Sequence, residues 1–357
     1  MKRIVPVLFL LWALAPTGAA AQTIAGSAED LDEQAFSPNA KLVKKYPFRN
    51  TTLTFWQNMS MLTFDKGAEQ TWNPTYSWLL RFTPRYYLTD KLSLRLKVDL
   101  GVEWTNSDET TYYHQPLWED IWFDAVYAKA YVDKATGIDV TPGLRFVLPA
   151  SKSSQARTLY VGVSPGLTFH RSFKLPHKMG LELTYAFRYT KNLNHYTTAQ
   201  YDAPTIGSCG VTGSGDCGRF THSGSRNVSH GFQNILMVDW EITKRLRASQ
   251  MVAFFNNLLY GLSDTGAFPL DPKYDVNMRA AIWYLTELDY DVHRWLTLGI
   301  GVSTYNPQLT EGSTYRAPFF NRYTELMLAA TFNLDQIVAS VENRMRSHSF
   351  TQVAHAQ

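Results

Sequence analysis

The chain has little of what holds small secreted domains or helical membrane proteins together. Its 357 residues include only two cysteines, so disulfides cannot form the framework of the fold. After the first residues, no segment of roughly 18 consecutive uncharged apolar residues occurs, and the sequence therefore predicts no transmembrane helix. The formal net charge is only +3, which gives no indication of a nucleic-acid partner.

The first residues have the order of a secretory signal. Lys2 and Arg3 precede an apolar run over 4–14, and Ala19–Ala21 supplies small residues for cleavage. An uncleaved membrane anchor, the alternative, would need a longer apolar run. We expect residues 1–21 to be removed, which leaves 32 basic residues against 31 acidic ones.

One strongly patterned stretch, Leu92–Trp104, defines the fold class. Its sequence LSLRLKVDLGVEW places an apolar residue at every second position, with Ser, Arg, Lys, Asp, Gly and Glu between them. A period of two predicts a β-strand with one apolar and one charged face. The run is longer than a typical strand of about 5–6 residues and suits a tilted strand of about 9–11 residues that crosses a bilayer. Similar segments are predicted near 51–64, 76–88, 120–132, 138–148, 158–170, 180–190, 232–242, 246–257, 278–290, 295–305 and 323–334.

The links between these segments alternate between short and long, and many apolar faces end in Tyr or Trp. Both features are typical of membrane barrels, with short turns at one end and aromatic girdles at the two interfaces. The sequence therefore predicts an all-β fold, a transmembrane antiparallel up-and-down β-barrel of about 12 strands over 50–334. A polar periplasmic lead-in over 22–49 precedes it, and a periplasmic tail over 335–357 follows as a short amphipathic helix or a frayed end.

In this pattern the chain resembles the bacterial outer-membrane β-barrel proteins, over 50–334 and without a family-specific motif. The resemblance implies an integral outer-membrane location with periplasmic termini, and contact with outer-membrane lipids and lipopolysaccharide. It also implies insertion by the barrel-assembly machinery, which reads the last strand. That strand ends with Phe332 and Leu334 two apart, as the signal requires, but Ala329 stands where glycine is common and the chain continues to residue 357.

The face assigned to the lumen carries eight basic and ten acidic side chains. They are Arg81, Arg85, Arg95, Lys97, Asp99, Glu103, Asp124, Asp139, Arg145, Glu182, Arg188, Asp239, Glu241, Arg247, Arg279, Glu287, Asp289 and Glu325. Neither sign dominates, whereas a strongly selective pore requires a ring of one sign. We expect most of these charges to pair across a narrow interior. The alternative is that they line wet space without pairing.

Two loop features leave a choice open. Cys209 and Cys217 lie in a glycine-rich segment of an exported chain, which favours a disulfide over a metal or redox pair. Asp264, Asp271 and Asp275 share another loop, where they either bind calcium or are simply solvated. We predict no cofactor and no metal site.

Aromatic residues cluster where strands three and four meet their connecting loop. Tyr112, Tyr113, Trp118 and Trp122 either belong to the interface girdle, which we favour, or stack on the sugars of lipopolysaccharide or on a ligand.

Some twelve-stranded outer-membrane barrels are phospholipases with His, Ser and Asn on the outer wall. The nearest stretches here, 222–225 and 229–231, lack that H-x-S-N order, so we predict no enzyme. The sequence favours a small, low-conductance channel or passive small-solute transporter. The main alternative is a structural anchor that binds periplasmic or envelope proteins in an export or motility complex.

Overall fold

The computed structural model describes residues 47–61, 75–105, 114–202, 220–261, 277–310 and 314–341. Within them, twelve strands form the wall of one antiparallel barrel. These strands are β1 Thr52–Ser60, β2 Tyr76–Thr83 with its continuation Arg85–Tyr87, β3 Leu92–Glu103, β4 Ile121–Tyr127, β5 Asp139–Leu148, β6 Leu159–Lys174, β7 Gly180–Asn194, β8 Val228–Glu241, β9 Leu246–Leu259, β10 Met278–His293, β11 Leu296–Pro307 and β12 Thr324–Asn333.

The first and last strands close the barrel. Each strand pairs with its neighbours in sequence, and β1 pairs with both β2 and β12. The β1–β12 register runs without interruption from Thr52 opposite Asn333 to Ser60 opposite Glu325. The predicted twelve-stranded, up-and-down topology is therefore confirmed. No strand edge of the ring is left unpaired, as a sheet in lipid requires.

The alternation predicted for β3 sets the two faces of the wall. Arg95, Lys97 and Asp99 are buried, whereas the leucines between them stay partly exposed. On other strands the apolar face is widely exposed, as at Leu236 and Ile300. Apolar side chains thus cover the outside and charged ones fill the inside, the reverse of a soluble barrel. This arrangement identifies a transmembrane barrel.

The two ends of the barrel differ in their connections. Short links at 88–91, 175–179, 242–245 and 294–295 lie at one end, here named the short-turn end. Both chain termini of the barrel also lie there, because the strand count is even. The link over 128–138 also lies at this end, whereas the other longer links lie at the opposite end, here named the loop end.

Within the part of the chain that the structure describes, two short α-helices flank the strands. Helix α1, Lys152–Ala156, lies in the link between β5 and β6, and its N-cap Ser151 accepts a hydrogen bond from the Ser154 amide at 3.0 Å. Helix α2, residues 334–341, follows β12 directly, so the first part of the predicted tail is helical. Within the described residues, no helix has the length and apolar character needed to cross a membrane.

A segment at the loop end folds back along the outside of the wall. The Phe319 carbonyl accepts a hydrogen bond from Thr304 Oγ1 at 2.9 Å, and Asn321 Nδ2 donates to Asn306 Oδ1 at 2.9 Å. The Phe319 ring also meets Tyr284, with centroids 4.9 Å apart. This outer strap, residues 317–321, covers a polar part of the outward face that would otherwise meet lipid.

Several predicted features lie outside the described residues. They are the signal over 1–21, most of the lead-in, the pair Cys209 and Cys217, the calcium candidates Asp264, Asp271 and Asp275, the aromatic residues Tyr112 and Tyr113, and the tail after residue 341. These remain predictions.

Candidate functional site: the barrel lumen

A bidentate ion pair begins the charged wall of the lumen, on neighbouring strands β2 and β3. Arg81 Nε and Nη2 donate to Asp99 Oδ1 and Oδ2 at 2.9 and 2.7 Å. Lys97 Nζ lies 3.2 Å from the same carboxylate. The cross-strand register places Arg81 directly opposite Asp99, so the pairing follows from the strand alignment.

A second carboxylate, Asp124 on β4, is held from both sides. Arg95 of β3 donates to it from Nη2 at 2.5 Å, and Arg145 of β5 donates from Nε at 2.7 Å. All three side chains are nearly inaccessible to solvent. Because they face one another across adjacent strands, β3, β4 and β5 are linked by charge as well as by backbone hydrogen bonds.

Trp122 joins the two carboxylate centres. Lys97 Nζ lies 3.5 Å from its ring centroid, and Arg145 Cζ lies 4.0 Å from it. The side chain is only 3% exposed. The prediction that Trp122 belongs to the interface girdle is therefore wrong. Trp122 is two residues before Asp124 on β4, so both side chains are on the inward face of the strand. Trp118, by contrast, is 55% exposed.

The charged wall, defined as Arg81, Arg95, Lys97, Asp99, Asp124 and Arg145, is a packed unit. Its four cations share two carboxylates, and Glu119 interacts electrostatically with Asp99, Lys97 and Arg81. Buried charges are costly unless they are paired with good geometry, and here each carboxylate has several donors. The wall therefore fills its side of the lumen with fixed, paired charge in which cations outnumber carboxylates.

The opposite side of the lumen is apolar. Inward-facing side chains from β7 to β10 and from β12 pack into one buried cluster, with Ala281 and Tyr305 against it. Its members are Ala186, Ile235, Met237, Met251, Ala253, Phe255, Trp283, Leu285 and Met327. Sequence reasoning missed this cluster, because the lumen residues that it singled out were all charged. The lumen is thus filled on two sides by chemically different packing.

Between the two filled sides runs a seam of small side chains on β5 and β6. Thr141 stands opposite Thr168 and Gly143 opposite Gly166 in the strand register. All four keep intermediate solvent exposure, unlike the buried sets beside them. Arg188 of β7 lies opposite Gly166 and donates to the Ser164 carbonyl at 3.4 Å. This seam is the part of the mid-barrel interior with room for water.

The short-turn end of the lumen is acidic. His170 lies between two carboxylates, with Nδ1 3.0 Å from Asp139 and Nε2 3.3 Å from Glu182. On the far wall, Arg247 pairs with Asp291 at 3.3 Å. The negative charge of this region is therefore only partly compensated.

The loop end of the lumen is covered by α1 and the residues around it. The Asp120 carboxylate accepts hydrogen bonds from the Ser151 amide at 3.0 Å and from the Ser154 hydroxyl at 2.5 Å. These two bonds hold α1 at the loop-end mouth of the lumen. The Arg157 carbonyl after the helix accepts from Asn194 Nδ2 and Asn227 Nδ2, both at 2.8 Å. These bonds tie the β5–β6 link to the β7–β8 link.

The Arg157 side chain crosses the mouth. It interacts electrostatically with Asp120 on its own side and with Tyr305 and Arg279 on the other. Tyr305 and Arg279 belong to β11 and β10, which lie across a ring of twelve strands from the β5–β6 link. Arg157 keeps intermediate exposure, so it borders water at the loop end.

The residues predicted to line the lumen fall into three groups by exposure. The buried ones are Arg81, Arg85, Arg95, Lys97, Asp99, Asp124, Asp139, Arg145, Asp239 and Glu287. Those with intermediate exposure are Glu103, Glu182, Arg188, Arg247, Asp289 and Glu325. The exposed ones, both near strand ends, are Glu241 and Arg279.

A closed barrel with an apolar exterior and a charged interior defines the class of the outer-membrane β-barrel proteins. No protein-family model and no curated protein matches the chain. Solved structures with matching folds include the KdgM porin, at 8% identity over 79% of this chain and 98% of that chain, with a TM-score of 0.39. An outer-membrane channel from Pseudomonas putida F1 matches at 11% identity over 83% and 99%, with a TM-score of 0.49. The NanC porin matches at 10% identity over 79% and 98%, with a TM-score of 0.39.

Proposed function

We propose that this protein is a narrow, passive channel for small polar solutes in the outer membrane. The observation that carries the proposal is the seam of Thr141, Gly143, Gly166 and Thr168, which keeps solvent exposure between two filled sides of the lumen. Both sides of the lumen are packed, so the path is narrow and the conductance small. The lumen carries an excess of basic side chains on the charged wall and acidic ones at the short-turn end, so neither sign dominates, which supports weak ion selectivity.

The proposal includes an orientation. The short-turn end, with both barrel termini and α2, faces the periplasm, and the loop end faces outward, as short turns and long loops do in bacterial barrels. This can be tested in a Cys209→Ser, Cys217→Ser background with single cysteines at Lys134 or Thr314. An impermeant maleimide should label position 314 on intact cells and position 134 only after permeabilisation. The reverse pattern would invert the orientation.

The channel is tested by filling the seam. Gly143→Leu is suitable because a Cβ there meets only ordinary contacts, at 3.7 Å from the Ala125 carbonyl oxygen and 3.9 Å from Val126. In planar bilayers, the wild type should show small openings, and Gly143→Leu should reduce their conductance several-fold. The matched control is Gly261→Leu, at a position where a Cβ meets no atom within 4 Å.

Two outcomes would contradict the channel. Unchanged conductance in folded Gly143→Leu protein would show that ions do not pass along the seam. The absence of any openings from wild-type protein would instead favour the structural anchor, which pull-down of periplasmic partners would then examine.

A further inference from the structure

A lysine stands on the lipid-facing side of the wall, close to the loop end. Lys191 of β7 is opposite Val163 on β6 and His230 on β8, and residues opposite one another share a face. The same face of β7 carries Leu183, Tyr185 and Phe187, all exposed on the outside of the barrel. The ammonium group is therefore outside the lumen and plays no part in the proposed channel.

The surrounding side chains form a defined polar site. Lys191 Nζ donates to Ser229 Oγ at 2.8 Å and lies 3.2 Å from His230 Nε2. Because His230 Nε2 accepts from the ammonium, its Nδ1 carries the proton and donates to the Tyr189 hydroxyl at 2.7 Å. The Tyr260 ring centroid lies 5.2 Å from Nζ.

A backbone irregularity assembles this site. The register between β8 and β9 shifts between Val228 and His230, which makes Ser229 the extra residue of a β-bulge. The bulge brings two consecutive residues, Ser229 and His230, to the same ammonium group, which a regular strand could not do because it would point them to opposite faces.

Among the described residues, no side chain supplies Lys191 with the counter-charge that the lumen cations have. Among the described residues, no carboxylate lies within ion-pair distance of its Nζ, whereas Arg81, Arg95, Lys97 and Arg145 all bind carboxylates. A fixed cation on the lipid-facing wall costs free energy of folding, and this cost is smaller close to the interface than at the bilayer midplane. Close to the interface an anionic headgroup of the bilayer can also approach the cation. An anion from the bilayer can therefore supply this negative charge.

We propose that this outer-wall site, formed by Lys191, Ser229, His230, Tyr189 and Tyr260, binds a phosphate group of an outer-leaflet glycolipid. The ammonium supplies the charge-assisted hydrogen bond, and the two tyrosines offer amphipathic rings at the level where headgroup and acyl chains meet. The choice of a glycolipid rests on the orientation proposed above, which places the loop end in the outer leaflet.

Native mass spectrometry of the full-length mature protein with diphosphorylated lipid A tests the proposal. Lys191→Gln removes the positive charge and should weaken binding about tenfold. Lys191→Arg keeps the charge and should retain binding. Arg171→Gln is the matched control. Arg171 is also outward-facing, but lies near the short-turn end against the Phe173 ring, at 4.5 Å. It should bind lipid A like the wild type.

Three results would overturn the proposal. The first is that folded Lys191→Gln protein binds lipid A as well as the wild type does. The second is that the substitution weakens the binding of dephosphorylated lipid A equally. The third is the same tenfold loss with phosphatidylglycerol, which would assign the site to a phospholipid headgroup. Single-channel conductance of Lys191→Gln should match the wild type. Lipid binding and conduction can therefore fail separately.

Discussion

Arg81 binds both carboxylate oxygens of Asp99 through two different guanidinium nitrogens, and neither side chain is more than 3% exposed. A buried ion pair of this kind matters for stability because the loss of one partner leaves the other as an unpaired buried charge. The remaining charge then lies in surroundings that cannot solvate it. The free-energy cost of removing one partner therefore far exceeds the net contribution of the intact pair to stability.

The first prediction follows from this pair. Asp99→Asn removes the carboxylate that Arg81 and Lys97 share, and should lower the free energy of unfolding by about 3–5 kcal/mol. Urea unfolding followed by tryptophan fluorescence measures the change. The matched control is Asp90→Asn at the more exposed pair with Arg49, which should cost about 0–1 kcal/mol. Equal costs would show that burial of the charged wall does not matter.

The second prediction concerns the lipid face. Leu96 is directed outward, opposite Phe123 on β4, near the middle of β3. Leu96→Arg should destabilise the folded barrel by about 2–4 kcal/mol, whereas Leu88→Arg at the strand end should cost about 0–1 kcal/mol. The folded fraction in liposomes, read from heat-modifiable gel mobility, distinguishes them. Similar tolerance at both positions would refute the assignment of this face to lipid.

The third prediction concerns the covered mouth. Asn227 Nδ2 donates to the carbonyls of Arg157 and Tyr196, both at 2.8 Å. Asn227→Ala should loosen the cover and give larger and more variable single-channel currents, with the unfolding midpoint almost unchanged, because the strands keep their pairing. Asn321→Ala, in the outer strap, is the matched control and should conduct like the wild type. The opposite ranking would show that the cover does not limit the current.

The fourth prediction concerns a turn beyond the membrane. The Thr136 hydroxyl and amide donate to Asp133, the amide at 2.8 Å, and they lower the pKa of that carboxyl below its usual value. The hydrogen bonds to the ionised carboxylate stabilise the folded protein fully above the ordinary pKa of aspartate. This stabilisation is lost as pH falls through the lowered pKa of Asp133. Thr136→Val should raise the Asp133 pKa toward the usual value, measured by carboxyl-carbon NMR titration. Thr243→Val in another short turn should leave it unchanged.

Alternation predicted the fold because one face of most strands is apolar and the other is not. The signal fails on β9, where Met251, Ala253 and Phe255 are directed inward while Val252 and Phe254 are directed outward. When both faces are apolar, a period of two cannot be seen, so the buried cluster was not predictable from single strands. It becomes visible only once the ring brings β7 to β10 together with Met327 of β12.

The candidate site was predictable in part. The charges on β2 to β5 follow the alternation, and their pairing follows from strand adjacency. Two features depended on tertiary structure instead. The reach of Arg157 toward Arg279 requires the closed ring, and the contacts of Lys191 require a β-bulge that leaves no distinct mark in the sequence.

The sequential pairing on the charged wall sets it apart from the apolar cluster. Arg81 meets its carboxylate one strand later, and Arg95 and Arg145 meet Asp124 on the strand between them. Both buried carboxylates of β2 to β5 are therefore paired by cations from strands adjacent in sequence, through contacts of short sequence separation. The apolar cluster is complete only when β12 adds Met327. The electrostatic half of the interior thus depends on contacts between strands adjacent in sequence, whereas the apolar half depends on closure of the ring.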